Sequence, residues 1–399
     1  MLLIVIWLLI PVYQSLAHRA IAPMPPWGWL SITGEAPATE VLFDPRYRAA
    51  GSRTLTRMAS YRAEANLPSL SAAVAISGDP VWAGAVGFSD ILSGTAANPE
   101  TLYRIGSTSK ALTATALARL VDRGELDLDS PLSSVLETVS NEAWSGITPR
   151  QLASHSAGLP HYGENTDWLG LYRSITLNRH YPDVRAALDI FDSSRLLFAP
   201  GSAFHYSSLG TVLLGAALSD AQQLPFRSLM AREVFSPAGM TSTFADGDDD
   251  PRGTALATFY FTDGERFRPW RHVDLSQRLP GGGFISSPTD LVRLGSIYFD
   301  ATLLSEETRG QFWAPQRLAD GSVNEQDYAL GWRWREWDVE GVGIARNANH
   351  GGVSRGSQCW LLLYPDHVMS MAFCTNAKTE AFETFGGFYA EFLRSFLAE

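Results

Sequence analysis

The chain has 399 residues, 45% hydrophobic and 18% charged, with a formal net charge of -11. That composition supports one or two globular domains with a sizeable core. It excludes nucleic acid as the partner, because phosphate binding needs a basic face.

The chain opens MLLIVIWLLIPV, an apolar run shorter than the roughly 20 residues that a relaxed membrane-spanning helix needs. Ser15-Leu16-Ala17 places small residues where a signal peptidase cleaves, so residues 1–17 read as an export signal, with an uncleaved membrane anchor as the alternative. Either reading puts the protein in the periplasm or outside the cell. Residues 18–40, rich in Pro, Gly and Ala, read as a linker, and 41–399 as the folded unit.

Within that unit a helix is predicted over Tyr47–Ala65, then strands near Ser69–Ile76 and Val81–Gly87 joined by Gly78-Asp79-Pro80, a hairpin signal. Ser107–Asp122 carries apolar residues at helical spacing and meets Gly124 at its end, as a helix stop requires. The stretch from Asp127 to Asp274 reads as helical, broken by Pro-Gly and Ser-Gly loops. Ser287 followed by Pro288 marks another helix start. Strand-like runs return at Tyr328–Trp337, Ser357–Tyr364 and Val368–Cys374, and Thr379–Leu397 closes the chain with an aromatic helical face. Strands at both ends must therefore pair. The expected fold is α+β: an antiparallel sheet (about 41–125 and 280–399) flanked by helices from both chain ends, with an inserted all-helical domain (about 126–279).

Cys359 and Cys374 flank the hairpin CWLLLYPDHVMSMAFC. They face each other across it, and two buried free thiols are the expected state, since direct cross-strand bridging is strained. Asp246-Gly247-Asp248-Asp249-Asp250 lacks the glycine and closing glutamate of a calcium loop and reads as a solvated turn. No metal or cofactor is expected.

Three short segments can carry chemistry. Ser107 and Lys110 stand one helical turn apart at a helix start, where free N–H groups favour developing negative charge. Of 31 Lys plus Arg residues only Lys110 and Lys378 are lysine; a lysine can give up its proton when buried, whereas arginine cannot. Tyr206, in FHYSS, either shuttles a proton as a partial phenolate beside a lysine or is a core tyrosine with a satisfied hydroxyl. His350-Gly351-Gly352 either lets a backbone edge approach a substrate or is an ordinary glycine turn.

Taken together and in order, Ser107/Lys110, Tyr206/Ser208 and His350/Gly351/Gly352 resemble the signature of the serine beta-lactamases, DD-peptidases and related esterases. The arrangement is similar to class C beta-lactamases, and the phrases around it, from LYRIGSTSKALTATALARLVDRGELDLDSPL to HGGVSRGSQCWLLLYP, are closest to the mitochondrial serine beta-lactamase-like proteins and their bacterial relatives. The resemblance implies a serine hydrolase that forms an acyl-serine on a small peptide, ester or amide. Ser107 is then the nucleophile, assisted by Lys110 and Tyr206. The backbone N–H groups of Ser107 and Val353 form the oxyanion hole, and Ser208 contacts substrate or steadies Lys110. The alternatives are a true beta-lactamase or DD-carboxypeptidase, and a non-catalytic binding or scaffold protein; oligomeric state is left open. Ser208 replaces the Asn of class C enzymes, and His350 their Lys. A histidine is mostly neutral at pH 7, so substrates without a carboxylate are expected to be preferred, with Arg355 as the residue that would restore some charge. Gly352-Val353-Ser354-Arg355-Gly356 also matches the Gly-x-Ser-x-Gly elbow, but that elbow needs a helix after its serine. A strand-like run follows Ser354 instead.

Overall fold

Strands from the two ends of the chain meet in one sheet. The computed structural model describes residues 2–19, 21–248, 256–378 and 382–398, and the side chains of all of these except 2–5, 7 and 382–387. From the N-terminal part come helix α1 (Leu2–Ala17), strand β1 (Ala38–Leu42), helix α2 (Arg48–Glu64), and strands β2 (Ser69–Ile76), β3 (Asp79–Asp90), β4 (Thr95–Ala96) and β5 (Tyr103–Arg104), followed by helix α3 (Ser109–Asp122). The middle supplies short strands β6 (Phe244–Ala245), β7 (Tyr260–Asp263), β8 (Arg266–Pro269) and β9 (Phe284–Ser286). The C-terminal part supplies β10 (Arg333–Val339), β11 (Gly343–Ser354), β12 (Ser357–Tyr364), β13 (Met369–Thr375) and the closing helix Phe382–Leu397. The main sheet runs β1-β3-β2-β13-β12-β11-β10, antiparallel throughout, with β4 on β3.

The sheet separates two cores because its central strands are apolar on both faces. On β12, Cys359, Leu361 and Leu363 join the core under α3, whereas Leu362 and Tyr364 pack with Met58 and Tyr61 of α2 and with Phe388, Phe392 and Phe396 of the closing helix. Helix α3 is buried nearly all round, as expected of a helix enclosed by protein on every side.

Several expectations need correction. The linker ends sooner, because residues 38–40 already pair with β3 as an edge strand. The first hairpin turns at Ser77-Gly78, both at positive φ (53° and 85°), and Asp79-Pro80 already belongs to β3. The inserted region is not all-helical. YFTDGERFRP folds as the β7–β8 hairpin around Asp263 and Gly264, since its alternating side chains outweigh the helical pattern around it. Strand β11 was not expected at all. Its sequence, GIARNANHGGVS, shows no apolar alternation, because half of its buried positions hold polar groups, Asn347, Asn349 and His350, and the rest only alanine or glycine. Asn349 Nδ2 donates to Asn347 Oδ1 at 2.8 Å, which is how such burial is tolerated.

Cys359 and Cys374 form a disulfide, contrary to the expectation of free thiols. The β12–β13 register opposes them directly, with Cα atoms 4.2 Å apart, at a narrow pair of the antiparallel ladder. Asp246 is no solvated turn residue either: it pairs with Arg104 at 2.7 Å, and both side chains are only 9% exposed. Asp249 and Asp250 lie outside the described residues, as do the side chains of Phe382 and Phe385. No described helix is long and apolar enough to cross a membrane.

Candidate active site

The chain enters α3 through one tight turn. Ile105 N donates to Phe284 O at 3.1 Å, which ties the entry to β9. Gly106 then takes φ +53°, and Gly106–Thr108 form a single 3-10 turn running directly into α3. Ser107 sits in that turn, partly exposed, with Lys110 behind it in the first turn of α3.

Lys110 is buried and held from three sides. Its Nζ lies 3.2 Å from Ser107 Oγ, 2.8 Å from Ser208 Oγ and 2.7 Å from Gly281 O. Ser208 opens the helix Ser208–Ala221, whose N-cap Ser207 accepts from Gly210 N. None of these three partners is a carboxylate, and burial lowers the lysine pKa to about 7, because desolvation disfavours the charged amine. Arg333 and Arg278 add repulsion in the same direction.

Tyr206 lies beside this pair, its ring centroid 4.9 Å from Lys110 Nζ, and its phenol is coupled to Ser107. Burial raises its pKa above the ordinary 10. Burial thus works against the partial phenolate considered from sequence, while Arg333 and the contact with Ser107 favour it. Around it pack His155, 4.3 Å away between ring centroids, and Tyr328, 6.0 Å away. His155 is buried and its pKa falls well below 6.5, chiefly by desolvation.

Strand β11 closes the site from the other side. Its residues beyond Asn349 have no β10 partner, and Thr108 Oγ1 donates to His350 O at 3.2 Å across this edge. A methyl group on Gly106 would meet Val353 C and O at 2.6 Å and N at 2.8 Å, so the Val353 main chain lies against the nucleophile turn. A cleft of about 760 Å³ opens here, lined by Ser107, Tyr206, Arg333, Gly351, Val353 and, further out, Trp337. His350 does not line it. The imidazole is fully buried, Nε2 2.9 Å from Tyr328 Oη and Nδ1 2.8 Å from Gly351 O, and desolvation holds its pKa well below 6.5. His350 therefore brings no positive charge to the cleft, as the neutral imidazole expected from sequence implies. Arg355 lies past Ser354 at the β11–β12 tip, with its guanidinium 5.8 Å from the Trp270 ring.

The sequence matches the Beta-lactamase family model over residues 56–394. The chain belongs to the beta-lactamase family. It is 25% identical over 386 residues to the mitochondrial serine beta-lactamase-like protein LACTB of Homo sapiens, covering 76% of this chain and 70% of that one. It is 33% identical over 186 residues to esterase EstB of Burkholderia gladioli, covering 44% and 47%. The fold is similar to that of the D-amino acid amidase of Ochrobactrum anthropi SV3, with a TM-score of 0.70 at 18% identity over 87% of this chain and 99% of that one. Like these beta-lactamase-fold relatives, the chain is a serine hydrolase.

Beta-lactamase family membership leaves the roles of individual residues to geometry. Ser107, Lys110, Tyr206 and Ser208 converge in space, with Gly351, Gly352 and Val353 opposite them. Ser354 sits at the end of β11 and β12 follows it, so the Gly-x-Ser-x-Gly match has no helix behind its serine. Sequence reasoning missed His155, Gly281, Tyr328 and Arg333. His155 lies in HSAGLPHY, Gly281 in PGGGF, and Tyr328 and Arg333 in YALGWRW. No spacing rule links these segments to Ser107.

Proposed function

We propose that the protein hydrolyses small esters, peptides or amides through an acyl-serine on Ser107. The observation that carries this reading is Lys110 Nζ at 3.2 Å from Ser107 Oγ with its pKa lowered to about 7. At neutral pH a large share of the amine is then unprotonated and able to act as a base.

In the first half-reaction Ser107 Oγ gives its proton to Lys110 Nζ and bonds to the substrate carbonyl carbon. The carbonyl oxygen takes up the electron pair, and the backbone N–H groups of Ser107 and Val353 stabilise it. The bond from carbonyl carbon to the leaving oxygen or nitrogen then breaks, and the proton returns from Lys110 to the leaving group through the Tyr206 hydroxyl. Water hydrolyses the acyl-serine by the same steps reversed. Ser208 and Gly281 O hold the amine on the Ser107 side in both halves. Residues 1–17 serve as an export signal in this reading, which the bacterial penicillin-binding relatives support.

The test is labelling of the purified protein with a fluorophosphonate, followed by mass spectrometry of the adduct. An adduct on Ser107 is expected. An adduct elsewhere, or none on a folded protein, overturns the reading.

A further inference from the structure

We infer that the protein docks on anionic membrane lipid, with α1 lying in the plane of the interface and the arginines beside it meeting the headgroups. The inference goes beyond the acyl-serine reading and takes residues 1–17 as retained after export.

Helix α1 is folded against the body on one side. Ser15 and Ala17 are buried, Tyr172 Oη donates to Leu8 O at 3.2 Å, and the His18 ring lies 4.3 Å from that of Trp270. The bond after Ala17, where a signal peptidase would cut, therefore sits inside a packed contact. The other side carries Ile6, Leu9, Ile10 and Tyr13, all exposed, at the i, i+3, i+4, i+7 spacing of one helical stripe. Trp168, 84% exposed, opens the helix Trp168–Thr176 one turn before Tyr172 and so stands beside α1. Trp27, 70% exposed, follows α1. Single apolar side chains are ordinary on a surface, whereas a grouped set of this kind marks an interaction face.

Charge identifies what covers that face. The chain has a formal net charge of -11, yet Arg268 and Arg271 line a hollow of about 360 Å³ together with Ile10, Tyr13, His18 and Met24. Arg19 is exposed directly after α1. None of these three arginines pairs with a described carboxylate. Arg268 and Arg271 donate only to main-chain oxygens, those of Pro25, Trp27, Ile175, Thr176 and His272. Arg271 Nε and His18 Nε2 are buried without a partner among the described residues. An apolar helix with tryptophans at its border and arginines along its flank matches the boundary between acyl chains and acidic headgroups. At 16 residues, α1 is about 24 Å long, short of the roughly 30 Å hydrocarbon core. With one side packed on the body it lies along the interface instead of crossing it.

Two measurements test this, and neither needs turnover, so the acyl-serine reading can fail separately. Mass spectrometry of the protein recovered from the envelope of an exporting bacterial host should find residues 1–17 still attached. A mature chain that starts at His18 overturns the inference. The full chain is then floated with vesicles of phosphatidylcholine alone and of phosphatidylcholine mixed equally with phosphatidylglycerol. Partition into the mixed vesicles should be at least about tenfold higher at low salt and should fall as salt screens the headgroups. Arg19→Gln/Arg268→Gln should remove most of that difference. Leu9→Ser/Trp168→Ser should abolish flotation with both vesicles while circular dichroism stays that of the wild type, since both side chains are exposed. Equal partition into the two vesicles overturns the inference. Complete displacement by soluble glycerophosphate, which would make the arginines a site for a free anion, does the same. So does a vesicle-independent oligomer that never floats, which would make the face a contact between copies of this chain.

Discussion

Gly352 stands so close to the nucleophile turn that a methyl group on its Cα would lie 2.7 Å from Ser107 N and 1.9 Å from Ile105 O. Both contacts are with main chain, which cannot rotate away. The pairing of β11 with the turn before α3 therefore requires glycine at this position, and it sets the distance between Ser107 and the Val353 main chain.

Gly352→Ala should consequently displace β11 from Ser107. Turnover is expected to fall by at least about a hundredfold, the scale of a misplacement near 1 Å at a reacting centre. Circular dichroism should show an intact fold, because the β11–β12 pairing of residues 348–354 with 357–363 lies on the other edge of the strand. Near-normal kcat/KM in this variant would show that the contact is not needed for catalysis.

Ser107→Ala should abolish fluorophosphonate labelling and ester hydrolysis together. Ser354→Ala should keep both within about threefold, since Ser354 lies at the β11 end against Ser357 and away from Lys110. Labelling that survives in the first variant and disappears in the second would reverse the assignment of the nucleophile.

Lys110 gives a pH dependence with a defined sign. Burial lowers its pKa to about 7, and the base form is the one that exists above that value. kcat/KM should therefore rise with pH through about 7 and then level off. A fall on the alkaline side is expected only beyond the Tyr206 pKa, which burial holds above 10. Lys110→Arg keeps a cation that cannot deprotonate, and it should cost at least about a hundredfold in kcat/KM at pH 7.5. A pH profile that declines through 7 would mean that the protonated amine is the active form.

The disulfide between Cys359 and Cys374 closes a loop with a sequence separation of 15. Replacing both residues by alanine should lower stability by about 2–4 kcal/mol, read as a lower urea midpoint. Adding a reductant to the wild type should reproduce most of that loss. Identical midpoints with and without reductant would show that the bond contributes nothing to folding.

What the sequence alone determined is mostly local. The Ser107–Lys110 spacing follows from helical geometry, since residues three apart share a face. The α3 register, the Ser287-Pro288 helix start and the apolar strands β2, β12 and β13 were legible because period and capping residues leave a mark within a few positions. The sheet built from both chain ends followed from having strands at each terminus and few between.

Tertiary structure decided what depends on contacts between distant segments. Strand β11 was hidden because its buried positions are polar and are satisfied only by partners such as Tyr328 and neighbouring asparagines. His350 looked like a cleft residue, yet the pleat turns its imidazole into the protein, where desolvation keeps it neutral. The lysine pKa needs the walls formed by Ser208 and Gly281, 98 and 171 residues away in sequence. Arg333 is an ordinary arginine in YALGWRW until the fold starts β10 beside Tyr206. That no described carboxylate pairs with it is a property of the folded neighbourhood, because charge pairing is set by distance in space and leaves no pattern along the chain.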